Sequence, residues 1–594
     1  MRAALALTAA LLVPAGLAAP AIPGILPAES VLVIGTPDAT ALREGFQRSS
    51  LFALWRDADM QAFVAPLAAE VTGATASLPA PLAMSVDEFF ALFPRQVYAG
   101  ISHFAPATGP GGAAGPDIGV FIAAETQQPQ RVLEIIDALI AQTGAEQSRD
   151  TYTEQDVTVA RNVLTFQRPS ALPGEPGQEP GLDLATSEES VTLHTAVVDG
   201  LVIATIDEPL GPVIANLRSG SGGFAHGTAV TSTSAMVGST AHQLVLHVNP
   251  APVHSTLTQL ATAGSPFNPA ALGISDIQGL SMWLDFGPET ADSWFALSLS
   301  PNPVGLGRLL RHGTASDFPA LDWVPANAVT FSAMGYDLGA TVTDAIALLT
   351  SVSPLAGGFL TGMMSTASQS LQFDIQGDLL SQLGREYVSY TVTDPAAAPG
   401  AFAGAQVYIL GLRDAARVAG ALARLAQPAV VGANQMAGGG MLEAEEYLGQ
   451  TIYTPQAVFE GPAGADGVPA FAVVSDHLVI ATDAAEMRAV ISASQGQIEE
   501  SVRQSERWAE IQRLAVAGAN SFSYSDDAAA MAWAAQGLAQ LGLISVMYPD
   551  IQIPLDFARV PGPDVFERHL THTVSTGVMS ERGWVSHTVT PNHD

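Results

Sequence analysis

Histidine is the residue type in this sequence that could most readily bind a metal ion or transfer a proton near neutral pH. Three of the twelve histidines, His242, His247 and His254, lie close together. His242 and His247 are five residues apart on a predicted strand, where an odd separation places side chains on opposite faces. His569 and His572, three apart on another predicted strand, meet the same objection. We therefore expect no metal site in this chain.

Acidic and hydroxyl side chains likewise form no catalytic motif that can be recognised from spacing. The neighbouring acids Asp57 and Asp59 do not have the spacing of a calcium-binding loop, and neither do Asp526 and Asp527. No Gly-X-Ser-X-Gly sequence, which marks the nucleophile of many hydrolases, is present. A hydrolase with a dispersed Ser/His/Asp or paired-carboxylate site stays open as an alternative. We assign no catalytic residue.

Two reactive side chains are absent altogether. All 23 basic residues are arginine, and the 594 residues include neither lysine nor cysteine. Without lysine there is no P-loop phosphate contact and no Schiff base with pyridoxal phosphate. Without cysteine there is no thiol nucleophile, disulfide, iron–sulfur cluster or thiolate zinc site. We expect no cofactor, and the composition favours a protein that is not an enzyme.

The candidate ligand-binding residues are two arginines in matching positions, Arg95 and Arg385. They end the similar triplets Phe-Pro-Arg and Leu-Gly-Arg, which are 290 residues apart. A guanidinium group can bind a ligand carboxylate through two parallel hydrogen bonds. The alternative is structural, because a cation near a helix C-terminus stabilises the last carbonyl groups.

The arginine pair belongs to a wider internal similarity. The sequence Leu-Val-Ile-Ala-Thr at residues 201–205 is repeated without change at 478–482, and Trp294 matches Trp584. Further matches keep the same order along the chain. Because the period is far longer than that of a solenoid repeat, we predict a tandem duplication of a whole domain.

Local patterns indicate how each repeat is built. An apolar stripe with helical spacing runs from Val132 to Ile140. Asp199 and Gly200 predict a tight hairpin turn, and Thr36 is the predicted N-cap of a helix. Hairpins outnumber alternating strand–helix–strand units. The predicted fold class is therefore α+β, with two similar lobes, each a mixed, mainly antiparallel sheet with helices covering one face.

The N-terminus has the pattern of a secretory signal. Arg2 is followed by an apolar run over residues 3–12, and small residues follow around Ala18 and Ala21. We divide the chain into a signal peptide (1–21), a first repeat (22–302), a Pro- and Gly-containing connector (303–324) and a second repeat (325–594). The expected location is outside the cytoplasm, in the periplasm or the medium.

Charge limits the partners. The chain has 57 acidic residues and a formal net charge of −34, while apolar residues make up 48% of it. An acidic globular protein of this kind repels nucleic acid and anionic lipid, since both need clustered basic residues. The most apolar later segment, residues 528–548, contains Gln536 and Gln540 and is predicted to be a packed helix. We expect no stable membrane insertion.

Two segments near the start of the mature chain resemble a group of exported bacterial proteins of unknown function. Residues 26–33 have a Leu-Pro-Ala sequence followed by an apolar strand, and residues 50–60 read Ser-Leu-Phe-Ala-Leu-Trp-Arg-Asp-Ala-Asp-Met. The resemblance covers roughly residues 26–100. It implies export, and it brings no established activity, ligand or site.

Together these observations favour an exported, soluble, non-enzymatic binding or structural protein of the bacterial envelope. Its partner would be a protein or an extended ligand in a groove between the lobes. The alternatives are the hydrolase described above and an envelope chaperone or inhibitor.

Overall fold

The computed structural model describes most of the chain. The described residues are 21–76, 84, 86–108, 114–169, 186–220, 223–238, 242–261, 267–371, 373–393, 405–426, 442–455, 468–547 and 554–593. The expected signal peptide lies outside them, apart from Ala21. The chain divides into two compact units. Unit 1 comprises Met1–Arg43, Thr72–Thr231 and Thr240–Thr256, and unit 2 comprises Glu44–Val71, Ser232–Ser239 and Leu257–Asp594.

The described residues form twenty strands and seventeen α-helices. The strands are β1 (Leu32–Thr36), β2 (Val97–Thr108), β3 (Ala114–Glu125), β4 (Glu146–Glu154), β5 (Val157–Pro169), β6 (Thr186–Val198), β7 (Leu201–Ile206), β8 (Leu244–Val248), β9 (Ile277–Phe286), β10 (Thr290–Leu299), β11 (Thr330–Gly335), β12 (Leu383–Val392), β13 (Ala405–Leu412), β14 (Leu442–Tyr447), β15 (Gln450–Pro455), β16 (Ala470–Val474), β17 (His477–Ala481), β18 (Ser521–Asp526), β19 (His572–Ser580) and β20 (Gly583–Pro591). The helices are α1 (Ile22–Ile25), α2 (Ala39–Gln47), α3 (Ser50–Arg56), α4 (Ala58–Ala76), α5 (Val86–Leu92), α6 (Pro129–Gln142), α7 (Gly211–Ser219), α8 (Thr228–Val237), α9 (Ala251–Leu260), α10 (Gly305–Leu309), α11 (Leu338–Val352), α12 (Pro354–Leu371), α13 (Ala415–Leu425), α14 (Ala484–Ser494), α15 (Glu506–Leu514), α16 (Asp527–Met547) and α17 (Pro563–His569). Short 3₁₀ helices include Phe224–His226, Pro319–Trp323, Leu380–Gln382 and Val502–Gln504, and Ile375–Leu379 is a π-helix.

Strand pairing in unit 1 joins eight strands in the order β8-β1-β2-β3-β7-β6-β5-β4. The predicted hairpin turn between β6 and β7 is confirmed, with Asp199 and Gly200 at φ 49° and 83°. These left-handed conformations suit the turn that matches the twist of paired strands. The predicted helix is also confirmed as α6, which buries Val132 and Ile140.

Strand pairing in unit 2 joins twelve strands in the order β14-β15-β16-β17-β13-β12-β11-β18-β19-β20-β10-β9. All pairings in both units are antiparallel among the described residues. The fold class is therefore α+β with a large antiparallel sheet. The parallel pairs that a mixed sheet would contain do not occur in these described ladders.

Helices cover both faces of the sheet in unit 2 rather than the single face expected. On β17, Val479 packs in one cluster with Met487 and Ile491 of α14. The adjacent Leu478 packs in another cluster with Val418 of α13. The apolar run of β17 is continuous rather than alternating, which is typical of a strand buried on both sides.

The local structure corrects several sequence predictions. The cap of α2 is Asp38, whose carboxylate accepts the N–H of Ala41 at 2.8 Å. Thr36 instead accepts the N–H of Asp38 itself. His242 precedes β8, so it does not share a strand with His247.

The two C-terminal histidines also lie on different elements. His569 ends helix α17, and His572 begins strand β19. The predicted connector 303–324 contains α10 and a 3₁₀ helix whose Ala320 and Leu321 are fully buried in the core of unit 2.

Candidate functional site

Arg95, the first candidate ligand-binding residue, lies just before β2 in unit 1. Its side chain is 65% exposed, and its Nη1 lies 3.8 Å from Oε1 of Glu125. Its backbone carbonyl accepts the N–H of Ala39, the first residue of α2, at 2.9 Å. The arginine therefore joins a strand end to a helix start, and its guanidinium already faces a carboxylate of the chain.

Arg385, the second candidate, lies on β12 in unit 2 and has similar surroundings. Its side chain is 69% exposed, and its Nε lies 3.5 Å from Oδ2 of Asp337. Asp337 also pairs with Arg413 and caps α11 by accepting the N–H of Ala340 at 3.0 Å. Each guanidinium group thus lies near a carboxylate of the chain itself, Glu125 for Arg95 and Asp337 for Arg385.

One cluster of chemically capable groups in unit 2 surrounds Asp57, at the turn between α3 and α4. His569 Nε2 lies 2.9 Å from Asp57 Oδ2, and Arg568 Nη2 donates to the same oxygen at 3.1 Å. The other carboxylate oxygen accepts the N–H of Asp59 at 2.9 Å. The hydrogen bond from His569 is the largest cause that holds the pKa of Asp57 below its usual value.

A second aspartate in unit 2 has the same two kinds of partner. Asp344 Oδ2 accepts from Arg308 Nε at 2.7 Å and lies 2.9 Å from His312 Nε2. Within the described part of the chain, no hydroxyl group hydrogen-bonds to His312 or to His569. Each cluster has the acid and the base of a triad but lacks a paired nucleophile.

Glu386 and His477 form a buried pair inside unit 2, and each residue is only 7% exposed. His477 Nε2 lies 3.0 Å from Glu386 Oε2, and the ring of Trp323 packs edge-on against the imidazole. Glu386 Oε1 accepts the N–H of Ala320 at 3.1 Å. Through these hydrogen bonds, the pair connects the 3₁₀ helix Pro319–Trp323 to the sheet. We therefore interpret its role as stabilising the fold.

The histidines first considered as metal ligands lie in unit 1. His247 is buried on β8, and burial lowers its pKa to about 4, with a further contribution from the nearby His242. A search of the described residues finds no group of three or more potential metal ligands.

Helix α12 borders a cavity of about 450 Å³ in unit 2. Five of the eight lining residues carry hydroxyl or amide groups, although most of the surface exposed to the cavity is apolar. The complete lining is Thr361, Met364, Ser365, Ser368, Gln369, Phe373, Asp374 and Gln376. The cavity has no histidine and one carboxylate. Such a surface can hydrogen-bond a polar ligand, but it offers no base and nucleophile for hydrolysis.

Unit 1 contains a second cavity, of about 520 Å³, beside α6. Its lining includes Arg149 and Arg218, which could contact an anion. Arg149 Nη1 is bound to both oxygens of Asp137 at 3.1 Å, and Arg218 lies 3.9 Å from Asp199. An anion that bound here would therefore have to compete with carboxylates of the chain for both guanidinium groups.

Helix α12 also presents to solvent an apolar face that none of the sequence predictions includes. Leu355, Phe359 and Met363 are 79%, 69% and 54% exposed. Their spacing of four residues places them on one side of the helix. The signal was present in the sequence, since these apolar residues repeat every four positions and no charged residue occurs from 345 to 373.

The comparisons with known proteins add little. No protein-family model matches the chain, and no curated protein matches it significantly. Solved structures of the Treponema protein TP0453 in crystal forms I and III match with 8% identity, covering 48% of this chain and 82% and 83% of theirs. Their TM-scores of 0.21 and 0.22 are too low to define a fold or a function. No helix among the described residues is long and apolar enough to cross a membrane.

Proposed function

We propose that this chain is an exported, non-enzymatic binding protein of the bacterial envelope, built from a duplicated α+β repeat. The observation that carries the binding role is the exposed apolar face of α12, next to a cavity whose exposed surface is mostly apolar and includes hydroxyl and amide groups. Exposed apolar surface of this kind marks interaction sites in soluble proteins.

Strand pairing supports the duplication. The order β1-β2-β3-β7-β6-β5-β4 corresponds, strand for strand, to β11-β12-β13-β17-β16-β15-β14. In addition, β8 pairs with β1 as β18 pairs with β11. The first pentapeptide lies on β7, and the second lies on β17 except for Thr482, which directly follows the strand. The two strands hold equivalent positions in these two series.

A pair of matched side chains also supports the duplication. Gln96 and Glu386 are the residues that follow the two matched arginines. Gln96 Oε1 accepts the N–H of Ile22 at 2.9 Å, as Glu386 Oε1 accepts the N–H of Ala320. In both cases the donor belongs to the short helix that precedes the first strand of a repeat.

The last strands of the two proposed repeats, β10 and β20, pair with each other in a symmetric way. On the ladder between β10 and β20, Leu297 pairs with Trp584 and Trp294 pairs with His587. At the offset of 290 residues, Trp294 corresponds to Trp584 and Leu297 corresponds to His587, so each of the two pairs corresponds to the other. Self-complementary pairing is what two copies related by a two-fold axis would produce.

The hydrolase alternative has less support. The clusters at Asp57 and Asp344 contain carboxylate, imidazole and guanidinium groups, but the cavity beside α12 contains neither cluster. The chaperone alternative uses the same exposed surface as the proposal, and it differs only in how many partners that surface accepts. Export rests on the N-terminal sequence pattern.

The test is photo-crosslinking in the source cells. We would replace Phe359 by the photoreactive p-benzoylphenylalanine, and place the same group at Leu139 of α6 as a matched exposed control. We expect one discrete, light-dependent adduct from position 359 and none from 139, with a partner that mass spectrometry identifies. Equal adduct patterns at the two positions, or no adduct at 359, would refute the binding surface.

Fractionation of the same cells tests export, because the processed chain should appear in the periplasm or medium. Retention of the unprocessed chain in the cytoplasm contradicts that part of the proposal.

A further inference from the structure

A β-bulge in unit 1 brings a serine and a histidine to the same place on the sheet. On the ladder between β2 and β3, the pair Ile101–Val120 is followed directly by the pair His103–Gly119. Ser102 is therefore the extra residue of the bulge. A bulge sets two residues of one strand opposite a single residue of its partner, and it often re-aims a side chain. Here the two residues are both polar, and the residue opposite them is a glycine.

Gly119 leaves the space toward which both polar side chains point. A Cβ added to Gly119 would collide with His103 Nδ1, and it would lie only 2.7 Å from Ser102 Oγ. The imidazole nitrogen and the hydroxyl oxygen thus approach the same point beside the glycine. Any residue with a Cβ at this position would push at least one of them away, so the glycine permits their convergence.

Two buried oxygen atoms near this point make no hydrogen bond among the described residues. Ser102 is fully buried, and its Oγ has no partner. Glu208 lies in the segment that follows β7, and its buried Oε2 also lacks a hydrogen bond. This oxygen lies 3.8 Å from His103 Nδ1. Burying polar atoms without partners is costly, and a bound ion is one of the explanations for such atoms in a folded protein.

The other ring nitrogen of His103 faces a different carboxylate. His103 Nε2 lies 3.5 Å from Oδ2 of Asp117 on β3. Histidines that bind metal ions usually direct their second ring nitrogen at a carboxylate, which keeps the proton there and leaves the first nitrogen free to bind the metal. His103 has this arrangement, with Asp117 beside Nε2 and Glu208 beside Nδ1.

We propose that His103 Nδ1, Glu208 and Ser102 bind a divalent transition-metal ion, for which Zn²⁺ is the best match. Imidazole nitrogen and carboxylate oxygen are common zinc ligands, whereas Ca²⁺ and Mg²⁺ prefer oxygen ligands. Asp117 faces the opposite ring nitrogen, so it orients the imidazole and does not contact the ion. Only two of the protein ligands are therefore histidine or acidic residues, which is fewer than in the groups of three considered above.

The surroundings of the site suit a cation. The side chains of His103 and Asp117 are 25% and 53% exposed, so an ion can enter from solvent. The net charge of −34 attracts cations to the protein. The bound ion joins the bulge of β2 to the segment after β7, so binding should stabilise unit 1. The proposal departs from the expectation of no metal site, which rested on ligands close together in the sequence.

Isothermal titration calorimetry of the untagged, metal-stripped full chain with Zn²⁺ tests the site. We expect one ion per chain, and a melting temperature that rises on binding. Asp117→Asn should weaken binding roughly 10- to 100-fold, and His103→Gln and Glu208→Gln should weaken it at least as much. His226→Gln is the matched control, because it removes an exposed histidine of unit 1 and should leave binding unchanged. Circular dichroism checks that the variants are folded.

Cobalt absorption provides a second, position-specific measurement. Because the chain has no cysteine, Ser102→Cys introduces a single thiol. A thiolate is a stronger ligand than a hydroxyl group for these ions, so this variant should bind Zn²⁺ more tightly than the unmodified chain. With Co²⁺ in place of Zn²⁺, it should show sulfur-to-cobalt charge-transfer absorption. Ala123→Cys, at a buried position on β3, should show none.

The outcomes decide the proposal in either direction. Failure of the unmodified chain to bind Zn²⁺ would overturn it. Equal affinities in His103→Gln, Glu208→Gln and the His226→Gln control would also overturn it, because they would indicate binding to scattered surface carboxylates. A Ser102→Cys chain that binds Co²⁺ without charge-transfer absorption would place the ion elsewhere. None of these results bears on the proposed binding role of α12, which belongs to unit 2 and is tested by protein adducts.

Discussion

The contacts of Asp57 show how a single side chain can organise distant parts of unit 2. One carboxylate oxygen contacts His569 and Arg568, and the other accepts the backbone N–H of Asp59, the second residue of α4. His569 is 512 positions away in sequence. The aspartate therefore acts as a helix cap and as the anchor of α17 at the same time. Its side chain is 11% exposed, so solvent screens these interactions only partly.

The lowered pKa of Asp57 leads to a prediction about pH. Its folded-state pKa lies below the unfolded value, so it stabilises the fold above the unfolded pKa, and that stabilisation is lost as pH falls through the folded pKa. Asp57→Asn should lower the free energy of unfolding by about 1 kcal/mol at pH 7. The difference from the unmodified chain should shrink as the pH falls below the unfolded pKa of about 3.9.

Urea unfolding at a series of pH values measures this difference. Asp59→Asn is the matched control, because Asp59 is 65% exposed and lies 3.8 Å from Arg568. A loss in Asp57→Asn that stays constant down to pH 3 would mean that the carboxylate charge is not the cause.

At the level of elements, two adjacent glycines in α12 have opposite roles. A Cβ at Gly357 would collide with the backbone and side chain of Thr350 on α11, whereas a Cβ at Gly358 would have none of the described atoms within 4 Å. Gly357→Ala should therefore destabilise the chain by about 1–3 kcal/mol, as overpacking does. Gly358→Ala should stabilise it by about 0.5–1 kcal/mol through helix propensity.

Thermal and urea unfolding of the two variants compares them directly. Equal effects of the two substitutions would mean that α11 and α12 do not pack closely at Gly357.

The elements differ in how far the sequence could predict them. The turn at Asp199–Gly200, helix α6 and strand β17 follow from turn chemistry and apolar periodicity, which act over a few residues. Thr36 was the wrong cap because Asp38 competes for the same role two residues later. Local patterns also do not determine which faces of β17 are covered, since that depends on where the tertiary fold places α13 and α14 against the sheet.

The candidate site was less predictable because its contacts join residues that are far apart in the sequence. Arg95 and Arg385 were found by matching the repeats, but the carboxylates that face them come from other elements. The pairing of Asp57 with His569 depends on the tertiary fold. The face of α12 left a local signal in its spacing and lack of charge, but a packed helix has the same apolar spacing. Its exposure is therefore a property of the fold.

At the level of the whole molecule, the dominant physical feature is the net charge of −34. Added salt therefore has two opposing effects on the stability of the fold. Screening weakens ion pairs such as Arg488–Glu445, but an exposed pair contributes only about 0–1 kcal/mol. Screening also relieves repulsion among the excess carboxylates, which acts over the entire surface. The Debye length falls from about 8 Å at physiological ionic strength to about 3 Å at 1 M.

The relief of carboxylate repulsion should outweigh the weakening of ion pairs. We therefore expect the melting temperature to rise, or at least not to fall, between 10 mM and 1 M sodium chloride. Calorimetry at a fixed low protein concentration measures this. Micromolar calcium at constant ionic strength is the control, because general screening predicts no shift from so little salt. A clear shift with calcium would indicate a specific cation site and overturn the expectation of no metal. A fall in melting temperature at 1 M sodium chloride would show that the ion pairs stabilise the fold more than the excess charge destabilises it.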